Sequence, residues 1–118
     1  MRSRRYYREL PCPTVEFDGY VYFLYAPIVN KVKIGRAKNW RVRFKNIQLM
    51  CPVELICVHL EWSIPENGHT VEDTEKELHE RFNKYRLHGE WFKVEGELAK
   101  YLKPYLLGKA KVRELCEE

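Results

Sequence analysis

The run Gly19-Tyr-Val-Tyr-Phe-Leu-Tyr25, followed across a short gap by Lys31-Val-Lys-Ile-Gly35, constrains this chain more than any other stretch. Residues 20 to 25 are dense in aromatic and β-branched side chains, which suit a pleated, half-buried surface. Ala26 to Asn30 supplies a Pro-containing turn, and Lys31 to Gly35 reads as a second short strand entering a polar turn. The expectation is a hairpin that hands over to a helix at Asn39. From Lys31 to Lys45 there are seven Lys and Arg residues and no acid, with Trp40 and Phe44 interleaved. Charge of one sign mixed with aromatic rings is the footprint of a phosphate-binding surface.

The first helix is predicted from Asn39, an amide able to cap it, to about Met50, where Pro52 stops it. Trp40, Phe44 and Ile47 fall on one face at the helical period, while Arg41 and Lys45 lie round towards solvent. Arg43 projects at the flank of that stripe, beside Ile47 and Met50. It either reaches inward to a site or covers apolar surface with its stem. Val53 to Trp62 is rich in Val, Ile, Leu and Trp and reads as a third, central strand. His59, inside it, is assigned no role. Residues 64 to 68 form a Pro- and Gly-containing turn.

The second helix, about Thr70 to Tyr85, has an apolar stripe of Val71, Leu78, Phe82 and Tyr85 with Glu75 inside it. Glu72, Asp73, Glu77 and Glu80 point elsewhere. A carboxylate on a core-facing stripe costs several kcal/mol if left unpaired, so Glu75 must meet a cation, a metal or hydrogen-bond donors. It is a site candidate, with a structural ion pair to Arg43 or Arg36 as the plainer alternative. His79, one turn on, either lines the site or orients Glu75. Gly89 to Val94 is predicted as a turn into a short extended segment whose Trp91 and Phe92 belong to the core. Glu97 to Leu107 is a closing helix, with Leu98, Tyr101, Leu102 and Tyr105 on one face and Pro104 expected to bend or end it.

A chain of 118 residues with 45% hydrophobic content has room for one domain with a core and none for two. The longest apolar run, Val21 to Val29, is nine residues and contains a Pro, so neither a signal peptide nor a membrane span is expected, and the protein is placed inside the cell. Cys12, Cys51, Cys57 and Cys116 lack paired metal-ligand spacing and are read as reduced structural thiols. Arg2, Arg4, Arg5 and Arg8 surround Tyr6 and Tyr7. This is either an arm for a nucleic-acid backbone or a solvated terminus, the plainer reading of the two.

At these residues the chain resembles the GIY-YIG nuclease superfamily, in particular its phage and fungal branch. The first motif of that family is similar to Tyr20-Val21-Tyr22 and the second to Lys33-Ile34-Gly35. The run Gly35-Arg-Ala-Lys-Asn-Trp-Arg-Val-Arg43 is similar to the Gly-Lys-Ala-Lys-Asn-Leu-x-x-Arg run of its excision-repair members. Two further stretches, Glu75 to Phe82 and Arg86 to Phe92, look like its later motifs. Lys33 departs from the pattern, standing where the family has its second Tyr.

Residue pattern and resemblance together imply a small α/β domain over residues 19–107, a three-stranded, largely antiparallel sheet flanked by helices. A basic arm, 1–18, and a charged tail, 108–118, complete the expected organisation. The function implied is a metal-dependent endonuclease that hydrolyses phosphodiester bonds, with DNA as the expected substrate. One Mg²⁺ or Mn²⁺ would be held by Glu75, phosphate oxygens and water. Tyr22 would position or deprotonate the attacking water. Arg43 and Arg36 would stabilise charge on the phosphate, Lys33 would lower the effective pKa of Tyr22 or of the water, and His79 would support Glu75. Lys31, Lys38, Arg41 and Lys45 would contact nucleic acid. The alternative is a non-catalytic nucleic-acid-binding module derived from such a nuclease. A homodimer or a partner protein is a further expectation for so small a domain, and no membrane is expected as a partner.

Overall fold

The computed structural model describes residues 18–62 and 69–107. The arginine- and tyrosine-rich arm up to residue 17, the turn at 64–68, the tail from 108, Cys12 and Cys116 lie outside the described residues. In chain order the elements are β1 (Tyr20–Ala26), β2 (Lys31–Ala37), α1 (Trp40–Leu49), β3 (Ile56–Trp62), α2 (Val71–Arg81), a 3₁₀ turn (Asn83–Tyr85), β4 (Arg86–His88), β5 (Trp91–Lys93) and α3 (Gly96–Leu107). No helix among the described residues is long and apolar enough to cross a membrane.

The hairpin forms as its composition demands. β1 pairs with β2 antiparallel over their full lengths, from Tyr20 opposite Ala37 to Ala26 opposite Lys31. Asn30 takes the turn position with φ 54, a conformation Asn tolerates better than most residues. Its side chain donates to the Val94 carbonyl at 3.1 Å and accepts from the Tyr25 hydroxyl at 2.8 Å, which ties the turn to the chain leaving β5. β3 pairs antiparallel with the other side of β1, with a register shift between Phe23 and Leu24.

Instead of three strands the sheet has five, in the order β3-β1-β2-β5-β4 and antiparallel at every pairing. β4 and β5 are three residues each, too short for a two-residue period to show in the sequence. β3 starts at Ile56 and not at Val53, and it lies at the edge of the sheet instead of at its centre, paired with β1 alone among the described residues. The Gln48 side chain accepts from the Leu55 amide at 2.7 Å and donates to the Val53 carbonyl at 2.9 Å, holding that segment as a connection.

α1 begins at Asn39, whose side chain accepts from the Val42 amide as expected. α2 starts with a reciprocal cap between Thr70 and Asp73, and Asp18 accepts from the Val71 amide at 2.8 Å. α2 ends at Arg81, and the 3₁₀ turn covers the remainder of the predicted helix. Pro104 does not end α3, which runs on to Leu107. The ring is exposed, so water can serve the carbonyl that loses its helical donor.

Alternation along β1 divides the interior. Val21 and Phe23 point to one face, where Val32, Ile34, Ile56, Val58 and Phe92 meet α2 and α3 through Leu78, Phe82, Leu98 and Leu102. Tyr20, Tyr22, Leu24 and Ala26 point to the other, covered by α1 through Trp40 and by Leu55, Cys57 and Leu60. Trp91 packs on this second face and Phe92 is buried in the first, so both are core residues as predicted.

Candidate functional site

β5 pairs with β2 only along Lys31 to Lys33, and the Ile34 amide donates to the Glu90 carbonyl at 2.9 Å just before β5 begins. Beyond Ile34, β2 has no strand neighbour on that side among the described residues. An open cleft of about 410 Å³ lies there, lined by Arg36, Ala37, Arg43, Glu75 and Glu90. The strand end delivers side chains from both faces of the sheet to this one place. Arg36 lies opposite Val21 in the register and reaches towards α2, whereas Tyr22 lies opposite Gly35 on the α1 side.

Glu75 is the only buried charged residue among the described ones. Its Oε1 accepts from Arg36 Nε at 3.0 Å, and the outer Arg36 nitrogen is 3.9 Å from exposed Glu72. Burial raises the Glu75 pKa above the usual glutamate value, and the Glu90 charge adds to the rise. The Arg36 hydrogen bond, the His79 charge and the Arg36 charge oppose it. His79 is fixed by another partner. Its Nε2 donates to the Ile34 carbonyl at 2.8 Å and stands 4.0 Å from Glu75 Oε2, so it anchors α2 to β2 beside the carboxylate.

Gly35 makes room for the Tyr22 hydroxyl next to the cleft. A Cβ at residue 35 would collide with the Tyr22 hydroxyl and stand 2.7 Å from Glu90 Oε1, so any side chain there would fill the space both groups share. The Tyr22 Oη is buried and has no hydrogen-bond partner. The Arg43 guanidinium lies close enough to favour the phenolate electrostatically, short of a well-aligned bond. Desolvation is the larger influence and, with the charges of Glu90 and Glu75, raises the Tyr22 pKa, so the side chain is a phenol at neutral pH.

Lys33 is placed beside Glu90 and not beside the Tyr22 hydroxyl. Its ammonium sits 3.4 Å from Glu90 Oε1 and 5.5 Å from the centre of the Trp91 ring, and its charge is taken up by Glu90 instead of lowering the Tyr22 pKa. Arg43 is exposed at the flank of α1 as expected, but Met50 is no part of an apolar stripe, being 87% exposed.

The basic run is not one surface. Lys31 starts β2 and Lys38 follows its end, and six strand steps to Ala37 already span about 20 Å. Lys38, Arg41 and Lys45 are exposed. At 100° per helical residue, Arg41 and Lys45 occupy one flank of α1 and Arg43 the other. Arg41 lies over the Trp40 ring at 5.4 Å. Of the residues singled out in the sequence, the fold gathers Tyr22, Arg36, Arg43 and Glu75, with His79 behind them. Lys31, Lys38, Arg41 and Lys45 are spread around. Glu90 was not singled out. Its only local signal is a carboxylate set between a turn glycine and a core Trp-Phe pair.

The described residues contain no group of three His, Cys, Asp or Glu side chains able to hold a metal. The donor set at the cleft is two carboxylates, of which Glu75 is disfavoured as an anion by burial first and by the Glu90 charge second. That fits a hard divalent cation with few protein ligands, completed by phosphate and water, and does not fit a closed structural site.

A family model described as the T5orf172 domain matches residues 19–114. The domain is found in phage and other nuclease-like proteins. No curated protein and no solved structure matches the chain.

Proposed function

The chain belongs to the T5orf172 domain family, and from that premise we propose that it is a GIY-YIG-like, divalent-metal-dependent endonuclease acting on DNA. The observation that carries the proposal is the convergence of two guanidinium groups and a buried carboxylate on one open cleft, with the buried Tyr22 phenol beside Gly35 and Glu90. A cleft for a neutral ligand has no use for Arg36 and Arg43 together. A surface that only binds phosphate has no use for Glu75 and Glu90, which repel it.

In this reading the scissile phosphate sits between Arg36 and Arg43, whose planar forks offset the negative charge that grows on its oxygens. Glu75 would hold the cation, and Arg36 keeps the carboxylate aimed by bonding one of its oxygens. When bound, Mg²⁺ or Mn²⁺ supplies Lewis-acid polarisation of a phosphate oxygen. Tyr22, a phenol with a raised pKa, positions the attacking water instead of removing its proton as a phenolate. His79 fixes the helix turn that carries Glu75.

Supercoiled plasmid incubated with Mg²⁺, Mn²⁺ or EDTA tests the proposal. Cleavage is expected with either cation and none with the chelator, and Glu75→Gln should abolish cleavage while binding persists. If the wild type binds duplex, branched and single-stranded substrates but cuts none under any divalent cation, the chain is a non-catalytic binding module.

A further inference from the structure

Glu90 meets three groups whose arrangement the proposed nuclease chemistry does not use. Its carbonyl takes the Ile34 amide, which fixes the β4–β5 turn against the open end of β2. Gly89, with φ 59, makes that turn and directs the next side chain back over the sheet. Glu90 Oε1 then lies 3.4 Å from Lys33 Nζ and 2.7 Å from the point a Cβ of residue 35 would occupy. The Tyr22 hydroxyl crowds the same point and is buried without a partner. A buried hydroxyl lacking a partner is costly, so a carboxylate oxygen this near, on a half-buried residue, is the natural place for its proton.

We propose that Lys33 and Glu90 form a positioning pair that acts through Tyr22: Lys33 holds the Glu90 carboxylate above Gly35, where Oε1 accepts the Tyr22 hydroxyl hydrogen bond. That bond fixes the rotation of the hydroxyl and turns the Oη lone pairs away from Glu90, towards the side on which Arg43 stands. In the nuclease reading, on which the catalytic part of this proposal rests, the oriented Oη accepts a hydrogen bond from the attacking water and sets its line of approach. Lys33 thus acts through geometry rather than through the Tyr22 pKa. The pair also explains why Gly35 must be bare, because a methyl there separates the hydroxyl from the carboxylate.

Two measurements test this, one of them independent of cleavage. Proton NMR of the metal-free protein should show a Tyr22 hydroxyl resonance, assigned by its loss in Tyr22→Phe, that vanishes or moves in Glu90→Gln. An unchanged resonance, or none in the wild type, overturns the proposal whether or not the protein is a nuclease. For cleavage, Glu90→Gln should lower kcat on the order of 100-fold with little change in KM, the scale of a mispositioned reacting group. The exchange Lys33→Glu with Glu90→Lys restores a salt bridge but leaves no carboxylate over Gly35. It should recover the melting temperature of the single variants and not their turnover. Recovery of both would show the pair to be merely structural. Absence of cleavage in the wild type would count against the nuclease reading alone.

Discussion

The two faces of the sheet are built differently. One is a thick interior where two helices bring Leu78, Phe82, Leu98 and Leu102 onto Val21, Phe23, Ile34 and Phe92. The other is covered by α1, of which only Trp40 is buried, and two of the four β1 side chains there are tyrosines. Arg36 and Glu75 are rooted in the thick face, and Tyr22 and Arg43 in the thin one. Folding free energy is therefore concentrated on one face, while the proposed chemistry draws on both. The thick face supplies most of the burial that holds the cleft in place, and the thin face contributes less.

The largest effect should come from the thick face. Phe82→Ala is expected to cost about 3–5 kcal/mol in urea unfolding, and Phe44→Ala, on the half-buried side of α1, clearly less. Equal losses would break the contrast between the faces. Tyr22→Phe should give the converse result, with only a modest loss of stability, that of the single hydroxyl bond proposed above. Its turnover should fall on the order of 100-fold, equivalent to about 2.7 kcal/mol of barrier.

A smaller effect concerns Glu75. Its folded pKa is raised, so the native state holds the proton more tightly than the unfolded chain. The stabilisation is full below the ordinary glutamate pKa and is lost as pH rises through the folded value. Unfolding measured across this window should therefore show stability falling with rising pH, a flatter profile in Glu75→Gln, and recovery on adding Mg²⁺ or Mn²⁺ to the wild type. A profile identical in wild type and Glu75→Gln would remove Glu75 as the titrating group. The smallest effect is on DNA binding across a salt series. Lys45→Ala should reduce the log–log salt slope by about 0.9, and Lys31→Ala, at the far end of β2, should leave it unchanged. Equal slopes for the two would mean that the whole run touches DNA after all.

Much of this was legible in the sequence. The hairpin was visible because β1 is long, aromatic and β-branched, and Glu75 because a carboxylate stood inside an apolar helical stripe. What escaped depends on contacts distant in sequence. β4 and β5 are defined by pairing with β2 and not by any period of their own. Glu90 becomes part of the cleft only when that pairing folds it back over Gly35. The Lys33–Glu90 pair is hidden for the same reason, since only the pairing of Lys33 with Trp91 brings the carboxylate of residue 90 beside it. The basic run looked continuous in one dimension, and a strand followed by a helix scattered it.

The shortness of β5 has a consequence for solubility. A sheet edge with free backbone groups is a template on which a second copy can add a strand, and proteins guard such edges with charge or irregularity. Here the segment past Ile34 offers a bare glycine and then Arg36, and Glu90 closes over its start. Side chains suited to gripping phosphate also keep one molecule from zipping onto the next. Neutral substitutions at Arg36 should therefore shift the protein towards concentration-dependent self-association, visible by light scattering before any loss of fold.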